Sequence, residues 1–389
     1  MKKNFVIILT FLLVFPITIV KANDNNDLSL GSSAKSVVLM EASTGEIIYQ
    51  RNANEKLHPA SMTKMMSMLL VMEAIEKGSL KWTDMVVASE NASGMGGSQI
   101  LLETGEKMSV DELFKGVAIA SGNDAVVALS EKVAGTEEVF VKIMNDKAKE
   151  LGLKNTNFKN PHGLDATDHY SSAYDMAMIA KELVKHEKVL EYSSIYEYYL
   201  REGTERKTWL VNTNKLVRFY DGVDGLKTGY TKEAGYCLTA TAMKNGMRII
   251  AVVMGEPDSK TRNKEVTELL DYAYAQYALD TIIDSNKVLG KKAVNKGKEK
   301  YAELVLTEDA TNLIKKGEQS NNVTYEIKTN NLEAPLKKGD IVGTLILKEN
   351  NKKIKTINIT VKNNIDKANF IDLYLHNFKD IISGEIDLK

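Results

Sequence analysis

Three short groups of residues in this chain have the composition of a nucleophilic site. The first, Ser61-Met-Thr-Lys64, places a hydroxyl three residues before an amine. On a helix, side chains at this spacing lie on one face, one turn apart. A serine hydroxyl is a poor nucleophile until a base takes its proton, and a lysine kept neutral by burial or by a second cation can do so. The spacing therefore predicts Ser61 as a nucleophile and Lys64 as its base.

The second and third groups could relay a proton and bind a substrate. Ser121-Gly-Asn123 lies between two helical patterns, where the hydroxyl could pass a proton and the amide could hold a substrate amide. Lys227-Thr-Gly229 comes before a strand pattern. In that position Lys227 offers a cation for a substrate carboxylate, Thr228 offers a hydroxyl, and Gly229 lets a substrate lie against the backbone.

Each of the first two groups also has a counterpart elsewhere in the chain. Ser32-Ser-Ala-Lys35 repeats the first spacing, and Ser89-Glu-Asn91 repeats the second, but no helical pattern follows Ser32. The third group occurs once. All three groups in this order and context favour one site over coincidence. An α/β-hydrolase is disfavoured, because no serine has glycine two residues before it and two residues after it.

The elements around these groups predict an α/β or α+β domain that ends near Leu279. Two β-rich runs around Ser43-Thr-Gly45 predict a hairpin. Apolar residues at steps of three and four after Ser61 predict a buried helix, and its methionines are interpreted as core. The pattern predicts further helices at 110–120, 124–133, 138–151, 173–185 and 264–278, and strands at 236–242 and 247–255.

The last third of the chain has a different pattern. Short β-rich runs separated by polar turns over 281–366 predict a small β-sandwich. From Phe370 to Ile382 the apolar residues fall within about 140° of arc at helical spacing. Such a helix is too short to span a bilayer and suits lying in its surface. The alternative is a helix packed on its own domain.

The start of the chain predicts export. A positively charged beginning, an apolar run from Phe5 to Val20 and a small residue at Ala22 are typical of a secretory signal peptide covering residues 1–22. The alternative is an uncleaved membrane anchor. In both cases the remaining chain lies outside the cytoplasm. Cys237 is the only cysteine, so an intrachain disulfide is impossible, and we interpret it as a buried structural thiol.

Composition excludes several other classes of protein. The 389 residues, 43% hydrophobic and 26% charged, are enough for two folded domains. The formal net charge is −1, without the concentrated basic surface that a nucleic-acid-binding protein needs. The five histidines form no metal-ligand spacing, so neither a metal nor another cofactor is expected.

The motifs resemble those of the serine-type D-alanyl-D-alanine carboxypeptidases, the low-molecular-mass penicillin-binding proteins. The matching segments are His58-Pro-Ala-Ser-Met-Thr-Lys64, Ser121-Gly-Asn-Asp-Ala125, Asn160-Pro-His-Gly-Leu164 and Asp224-Gly-Leu-Lys-Thr-Gly-Tyr-Thr231. The resemblance implies a penicillin-binding, serine β-lactamase-like transpeptidase fold over residues 34–280. It also implies a β-rich domain over 281–366 and an amphipathic membrane-docking helix over 367–389.

The resemblance also implies a role for each matched residue of the site. Ser61 would be acylated, Lys64 would be its base, and Ser121 would relay the proton. Asn123 would bind a substrate amide. Lys227 would support acylation and substrate binding.

The remaining residues would hold the end of the substrate. Thr228, followed by Gly229, would contact the terminal carboxylate, and Arg262 would be a second carboxylate ligand. The backbone amides of Ser61 and Tyr230 would form the oxyanion hole. Some members have histidine in place of Tyr230, so the effect of this side chain on the rate is open.

The expected activity is removal of the terminal D-alanine from peptidoglycan stem pentapeptides through an acyl-enzyme, with penicillins acylating the same serine. An endopeptidase acting on peptide cross-links would share these motifs. A β-lactamase would need a glutamate for deacylation, and no convincing counterpart is present. A non-catalytic wall-binding protein would have no need of the nucleophile and base. The protein is expected on the outer face of the cytoplasmic membrane.

Overall fold

The structure is a computed structural model that describes residues 29–372. The helices are a 3₁₀ turn at Ala60–Thr63, α1 (Lys64–Glu76), α2 (Glu90–Ser93), α3 (Val110–Ala120), α4 (Asn123–Ala134), α5 (Glu137–Glu150), α6 (Ala173–Leu183), α7 (Glu187–Ser193), α8 (Leu216–Phe219) and α9 (Ser259–Gln276). The expected signal peptide and residues 373–389 of the expected tail helix lie outside the described part.

Seventeen strands are present within these residues. They are β1 (Ser36–Glu41), β2 (Ile47–Arg51), β3 (Met85–Val87), β4 (Lys107–Ser109), β5 (Glu197–Leu200), β6 (Thr208–Val211), β7 (Val223–Thr231), β8 (Gly235–Lys244), β9 (Met247–Glu256), β10 (Tyr277–Ile283), β11 (Gly290–Asn295), β12 (Tyr301–Leu306), β13 (Ala310–Lys315), β14 (Val323–Thr329), β15 (Leu332–Glu333), β16 (Ile341–Glu349) and β17 (Lys352–Val361).

A five-stranded antiparallel sheet supports the first domain, with the order β2-β1-β9-β8-β7. The hairpin expected around Ser43-Thr-Gly45 forms its β1–β2 edge. In the middle, β1 pairs with β9, so that Met40 lies opposite Ile250. At the other edge lies β7, which contains the Lys227-Thr-Gly229 group. This group therefore lies on a strand whose outer side has no strand partner in the sheet.

Helix α1 runs through the middle of the first domain. The expected burial of Met65, Met68 and Met72 is confirmed, but Met66 and Leu70 on the other sides of the helix are buried too. The helix contacts α3, α4, α5 and α6 as well as the sheet strand β7. Because neighbours surround it, α1 is apolar all round, whereas a surface helix would have one apolar stripe.

Two helix starts differ from the sequence predictions, and both affect the position of site residues. Ser61 lies in the 3₁₀ turn, and the α-helix begins only at Lys64. Helix α9 begins at Ser259, five residues before the predicted start at 264, because the Asp258 carboxylate caps it by accepting from the backbone N–H groups of Lys260 and Thr261. Arg262 therefore belongs to the first turn of α9.

The C-terminal domain is β-rich, as the sequence predicts. Its larger sheet has the order β14-β16-β17-β12-β11-β15, and β10 pairs with β13 in a second sheet. Ile283 and Ala310 of the second sheet share one apolar core with Leu345, Ile357 and Ile359 of the first. This shared core stabilises the domain by burying the inner faces of both sheets.

Within residues 29–372, no helix combines the length and the apolar character needed to cross a membrane.

Candidate active site

The buried amine of Lys64 lies at the centre of the site. Its Nζ donates to Ser61 Oγ over 3.0 Å, to Asn123 Oδ1 over 2.6 Å and to the carbonyl oxygen of His162 over 2.7 Å. Ser61 is in the 3₁₀ turn and Lys64 begins α1, so the two side chains meet across the junction of the turn and the helix. The structure thus brings together the serine and lysine of the first motif.

Burial controls the protonation of this lysine. Lys64 is completely buried. Burial, and then the cation of Lys227, hold the pKa of Lys64 well below its usual range, while the Asp124 carboxylate opposes this shift. A lysine whose pKa is lowered in this way gives up its proton more readily than a free lysine and can then accept one from a hydroxyl.

Ser121 has a strained backbone and a free hydroxyl. It ends α3 in the left-handed region, at φ 64°. A non-glycine residue in this region costs about 1–2 kcal/mol, so the surrounding structure has to hold it there. The Ser121 Oγ is buried and has no hydrogen-bond partner among the residues that the structure describes. The hydroxyl is therefore available to a substrate or to a neighbouring proton acceptor.

Both polar atoms of the Asn123 side chain form hydrogen bonds within the protein. Its Oδ1 accepts from Lys64, and its Nδ2 donates to the carbonyl oxygen of Gly96 over 2.6 Å. Its backbone N–H donates to the carbonyl oxygen of Ser98 over 2.7 Å. The side chain expected to bind a substrate amide thus links Lys64 to the 96–98 loop in this structure.

Lys227 and Thr228 lie on the edge strand β7. Lys227 is almost completely buried, and its Nζ donates to the carbonyl oxygen of Thr228 over 3.1 Å. Burial, and then the Arg262 guanidinium, lower the pKa of Lys227 to about 7. The Thr228 hydroxyl donates to Thr213 Oγ1 over 2.8 Å. This part of the strand thus presents the Thr228 hydroxyl, beside that of Thr213 from the segment between β6 and α8, and a second buried amine.

Gly229 allows β7 to approach the turn that carries the nucleophile. A Cβ at this position would lie 2.8 Å from the carbonyl oxygen of Pro59 and 3.1 Å from the Cβ of Ala60. The first contact is too short for a side chain, and the second is tight. The next residue, Tyr230, is 56% exposed, and its ring lies 4.3 Å from that of Tyr236, centroid to centroid. The end of β7 thus forms an aromatic rim beside Ser61.

A cleft of about 480 Å³ connects most of the expected site residues. It is lined by Ser61, Ser121, Thr228, Gly229, Tyr230 and Arg262, among others. Lys64, Asn123 and Lys227 are buried close to it. The Arg262 side chain is buried, and its guanidinium donates to Asn263 Oδ1 over 3.1 and 2.9 Å, with no carboxylate bound within the described residues. The cleft therefore contains a cation that could bind an anionic group.

One segment of the site has a role that the sequence analysis missed. In the 160–164 loop, the Asn160 side chain accepts from the N–H of Gly163 over 2.6 Å and donates to the carbonyl oxygen of Leu164 over 2.9 Å. This brace presents the His162 carbonyl to Lys64. A glycine directly after Pro-His indicates a tight turn, but no sequence pattern shows that the carbonyl meets a lysine.

Asp124 was also missed. Its buried carboxylate accepts from the backbone N–H groups of Ile100 and Leu102, each over 3.0 Å. It therefore fixes the loop that provides Gly96 and Ser98 to Asn123. Within residues 29–372, no cluster of three or more His, Cys, Asp or Glu side chains could hold a metal ion.

Here a serine is hydrogen-bonded to a buried lysine at the start of a central helix, beside the edge strand of an antiparallel sheet. This arrangement is typical of serine peptidases of the penicillin-binding class. Comparison with known proteins agrees with this class. Residues 22–258 match the family model for D-alanyl-D-alanine carboxypeptidase, and residues 277–367 match the model for the C-terminal domain of penicillin-binding protein 5. The chain belongs to the D-alanyl-D-alanine carboxypeptidase family.

Individual relatives cover both domains. The chain is 52% identical over 367 residues to the D-alanyl-D-alanine carboxypeptidase DacF of Bacillus subtilis, which covers 94% of each chain. Penicillin-binding protein 5 of Haemophilus influenzae matches with a TM-score of 0.67 and 35% identity over 86% of this chain and 98% of that one. The ampicillin-bound penicillin-binding protein D2 of Listeria monocytogenes matches with a TM-score of 0.56 and 30% identity, covering 62% of this chain and 98% of its own. The family, the fold of the first domain and the β-rich C-terminal domain predicted from the sequence are confirmed.

Proposed function

We propose that this enzyme removes the terminal D-alanine from peptidoglycan stem peptides through an acyl-enzyme on Ser61. The observation that carries the proposal is the 3.0 Å hydrogen bond between Lys64 Nζ and Ser61 Oγ, made by a lysine whose pKa lies well below its usual range. A neutral amine at this distance is positioned to take the hydroxyl proton.

The chemistry then follows in balanced steps. The Ser61 Oγ attacks the carbonyl carbon between the last two D-alanines, and its proton passes to Lys64. The backbone amides of Ser61 and Tyr230 stabilise the oxyanion of the tetrahedral intermediate. The Ser121 hydroxyl relays the proton to the leaving nitrogen, the carbon–nitrogen bond breaks, and D-alanine departs. Water then hydrolyses the ester and restores Ser61.

The substrate lies along the exposed side of β7. Its terminal carboxylate meets Thr228 and Arg262, both of which line the cleft, while Lys227 adds positive charge beneath them. Gly229 has no side chain, so the substrate backbone can pair with the strand as an added β-strand. Asn123 holds Lys64 through the hydrogen bond to its Oδ1. When substrate enters, the Asn123 side chain exchanges this bond for one to the substrate amide.

Labelling with a fluorescent penicillin tests the nucleophile. We expect Ser61→Ala to abolish covalent labelling, because no hydroxyl remains to form the ester. The matched control is Ser32→Ala, since Ser32 has the same three-residue spacing to a lysine but lies away from the cleft. Equal labelling of Ser61→Ala and the wild type would remove Ser61 from the mechanism. Release of D-alanine from a peptide ending in D-Ala-D-Ala tests the carboxypeptidase reaction directly.

We also propose that residues 1–22 direct export of the protein and that residues 367–389 dock it on the outer face of the cytoplasmic membrane. The proposal is supported by the helical spacing of the apolar residues from 370 to 382. It is also supported by Phe370 and Ile371, which are 83% and 67% exposed. Truncation after Asp366 is expected to lower co-sedimentation of the protein with lipid vesicles. Unchanged sedimentation would favour a helix packed on its own domain.

A further inference from the structure

A second cavity lies where the first domain meets the C-terminal domain. It encloses about 410 Å³ between the β1–β2 turn, the end of α6 and strand β17, and shares no lining residue with the active-site cleft. Its charged lining consists of five basic side chains, Lys181, Lys185, Arg248, Lys353 and Lys355, and two acidic ones, Glu41 and Glu308. We refer to this cavity as the lysine groove.

The two acidic groups of the lysine groove already have partners. The Glu41 carboxylate accepts from the N–H and hydroxyl groups of Ser43 and Thr44, over 2.7 to 2.9 Å. Glu308 pairs with Lys355, at 2.8 Å between Oε2 and Nζ. Neither carboxylate forms a direct ion pair with Lys181 or Lys353 among the described residues.

Two of the basic groups form ion pairs with carboxylates that do not line the lysine groove. Arg248 forms a two-point ion pair with Asp224, at 2.8 Å for each contact. Lys185 pairs with Glu182 at 2.6 Å. The guanidinium fork is therefore already occupied.

Lys181 differs from these groups. It is only partly exposed, and its ammonium has no hydrogen bond or ion pair with any residue between 29 and 372. The ammonium lies against the backbone of Gly45, where a Cβ would be only 2.4 Å from Nζ. Burial, and then the cation of Lys185, lower the pKa of Lys181, while the Glu182 and Glu41 carboxylates oppose this shift. A partly buried cation with no carboxylate in direct contact raises the free energy of the fold, and an incoming anion would relieve this cost.

Lys353 faces the lysine groove from the other domain. It lies on β17, is exposed, and likewise forms no ion pair within the described chain. An anion between Lys181 and Lys353 would therefore contact both domains.

The chemistry of the lysine groove favours a phosphate oxyanion. Lysine ammonium groups bind phosphate as point charges, whereas the bidentate recognition of planar carboxylates is typical of arginine, and here the arginine is occupied. A volume of about 410 Å³ suits a small ligand such as a phosphodiester with two short alcohol arms. We propose that the lysine groove binds a phosphodiester anion between Lys181 and Lys353.

Isothermal titration calorimetry of the full mature chain tests this site, with glycerophosphoglycerol as a soluble phosphodiester probe. We expect saturable binding by the wild type, at least fivefold weaker binding by Lys181→Gln and at least twofold weaker binding by Lys353→Gln. Inorganic phosphate should compete, and acetate at the same ionic strength should not. A wild type without saturable heat would overturn the proposal.

The control is Lys154→Gln, which removes the same charge from an exposed lysine of the first domain outside the lysine groove. It should bind like the wild type, and equal weakening by this variant would reduce the effect to net charge and overturn the site. If Lys181→Gln fails to fold, the titration of Lys353→Gln tests the site, because Lys353 is exposed. Penicillin labelling should be the same in all variants, so failure here is distinguishable from failure of the Ser61 mechanism.

Two sources could supply this chemistry, a lipid headgroup or a soluble phosphate polymer. Co-sedimentation with phosphatidylglycerol vesicles, compared with phosphatidylcholine vesicles, tests the first source. Titration with soluble poly(glycerol phosphate) tests the second. A loss in Lys181→Gln in one assay supports the proposal and identifies the source, whereas no loss in either assay contradicts it.

Discussion

Three basic side chains follow one another through the active site, and each of the first two lowers the pKa of the next. Arg262 remains charged in proteins and lowers the pKa of Lys227, after burial, to about 7. The charge of Lys227 in turn contributes, after burial, to the low pKa of Lys64. Because Arg262 favours loss of the Lys227 proton, it limits the pH range over which the Lys227 charge acts on the base. Substitution of Lys227 should be measurable at Lys64.

We predict that Lys227→Gln shifts the pH dependence of acylation. Removing this positive charge raises the pKa of Lys64, so the amine loses its proton only at higher pH. The acidic limb of the acylation rate with a fluorescent penicillin should therefore move to higher pH, in addition to any loss in the maximal rate.

The control is Lys215→Gln, which removes a lysine that lines the cleft and does not contribute to the shift of Lys64. Its acidic limb should coincide with that of the wild type. A Lys227→Gln profile that is merely scaled down, with its limb unmoved, would show that Lys227 does not tune the base.

At the scale of elements, the site depends on how closely two backbone segments approach the turn that carries the nucleophile. The 3₁₀ turn at Ala60–Thr63 lies between β7 and the 160–164 loop. Gly229 makes the first approach possible and Gly163 the second, since a Cβ at Gly163 would lie 1.9 Å from the carbonyl oxygen of Ala60. The loop provides the His162 carbonyl to Lys64, so its separation from the turn determines the position of the base.

We predict that Gly163→Ala strongly reduces penicillin labelling and stability. The new methyl group would push the loop away from the turn and weaken the bond between Lys64 and the His162 carbonyl. Gly152→Ala is the matched control, because Gly152 also has a positive φ, of 71°, but has open space around its Cβ position. The control should lose about 1 kcal/mol of unfolding free energy from backbone strain alone. Urea unfolding and labelling rates measure both effects, and equal losses in the two variants would contradict the packing argument.

Local patterns predicted the elements better than their ends and contacts. Helix α3 runs from Val110 to Ala120 as predicted, because its Ser109–Glu112 capping box and apolar face are both local signals. The 3₁₀ turn that contains Ser61 and the start of α9 at Ser259 were missed, although for α9 the Asp258 cap is a local signal. Asn123 and the His162 carbonyl as partners of Lys64 could not be predicted either, because contacts between distant segments leave no periodic trace.

At the scale of the whole molecule, the beginning of the first domain is fastened to its end by buried carboxyl groups. The N–H of Ser33 donates to Glu265 Oε1 of α9 over 2.9 Å. Glu256 at the end of β9 is buried beside Glu265, and burial, followed by this neighbouring carboxyl, raises the pKa of Glu256 to about 8. Two carboxyl groups at such close range are best accommodated when one of them keeps its proton.

We predict that stability falls as the pH rises from about 4.5, the ordinary pKa of this carboxyl, to about 8. The folded protein binds the Glu256 proton more tightly than the unfolded chain does, so the contribution is full below this window and is lost across it. Glu256→Gln should flatten the fall in unfolding free energy measured in urea between these two pH values.

The control for this change is Glu138→Gln, at an exposed position of α5 with no comparable neighbour. It should retain the pH dependence of the wild type. A wild type whose stability is flat or rises between the two pH values would contradict the assignment to Glu256.

The pairing of β1 with β9 also affects the order of events during synthesis. Met40 pairs with Ile250, which is synthesised much later, so the central sheet cannot form completely until almost the whole first domain has been made. Contacts between residues so far apart in sequence form slowly. The serine-bearing turn lies between these two strands in the chain, and it therefore becomes reactive late. A nascent chain that ends before β9 should therefore not be labelled by penicillin. Such a chain already contains all the residues to which we assign the chemistry except Arg262.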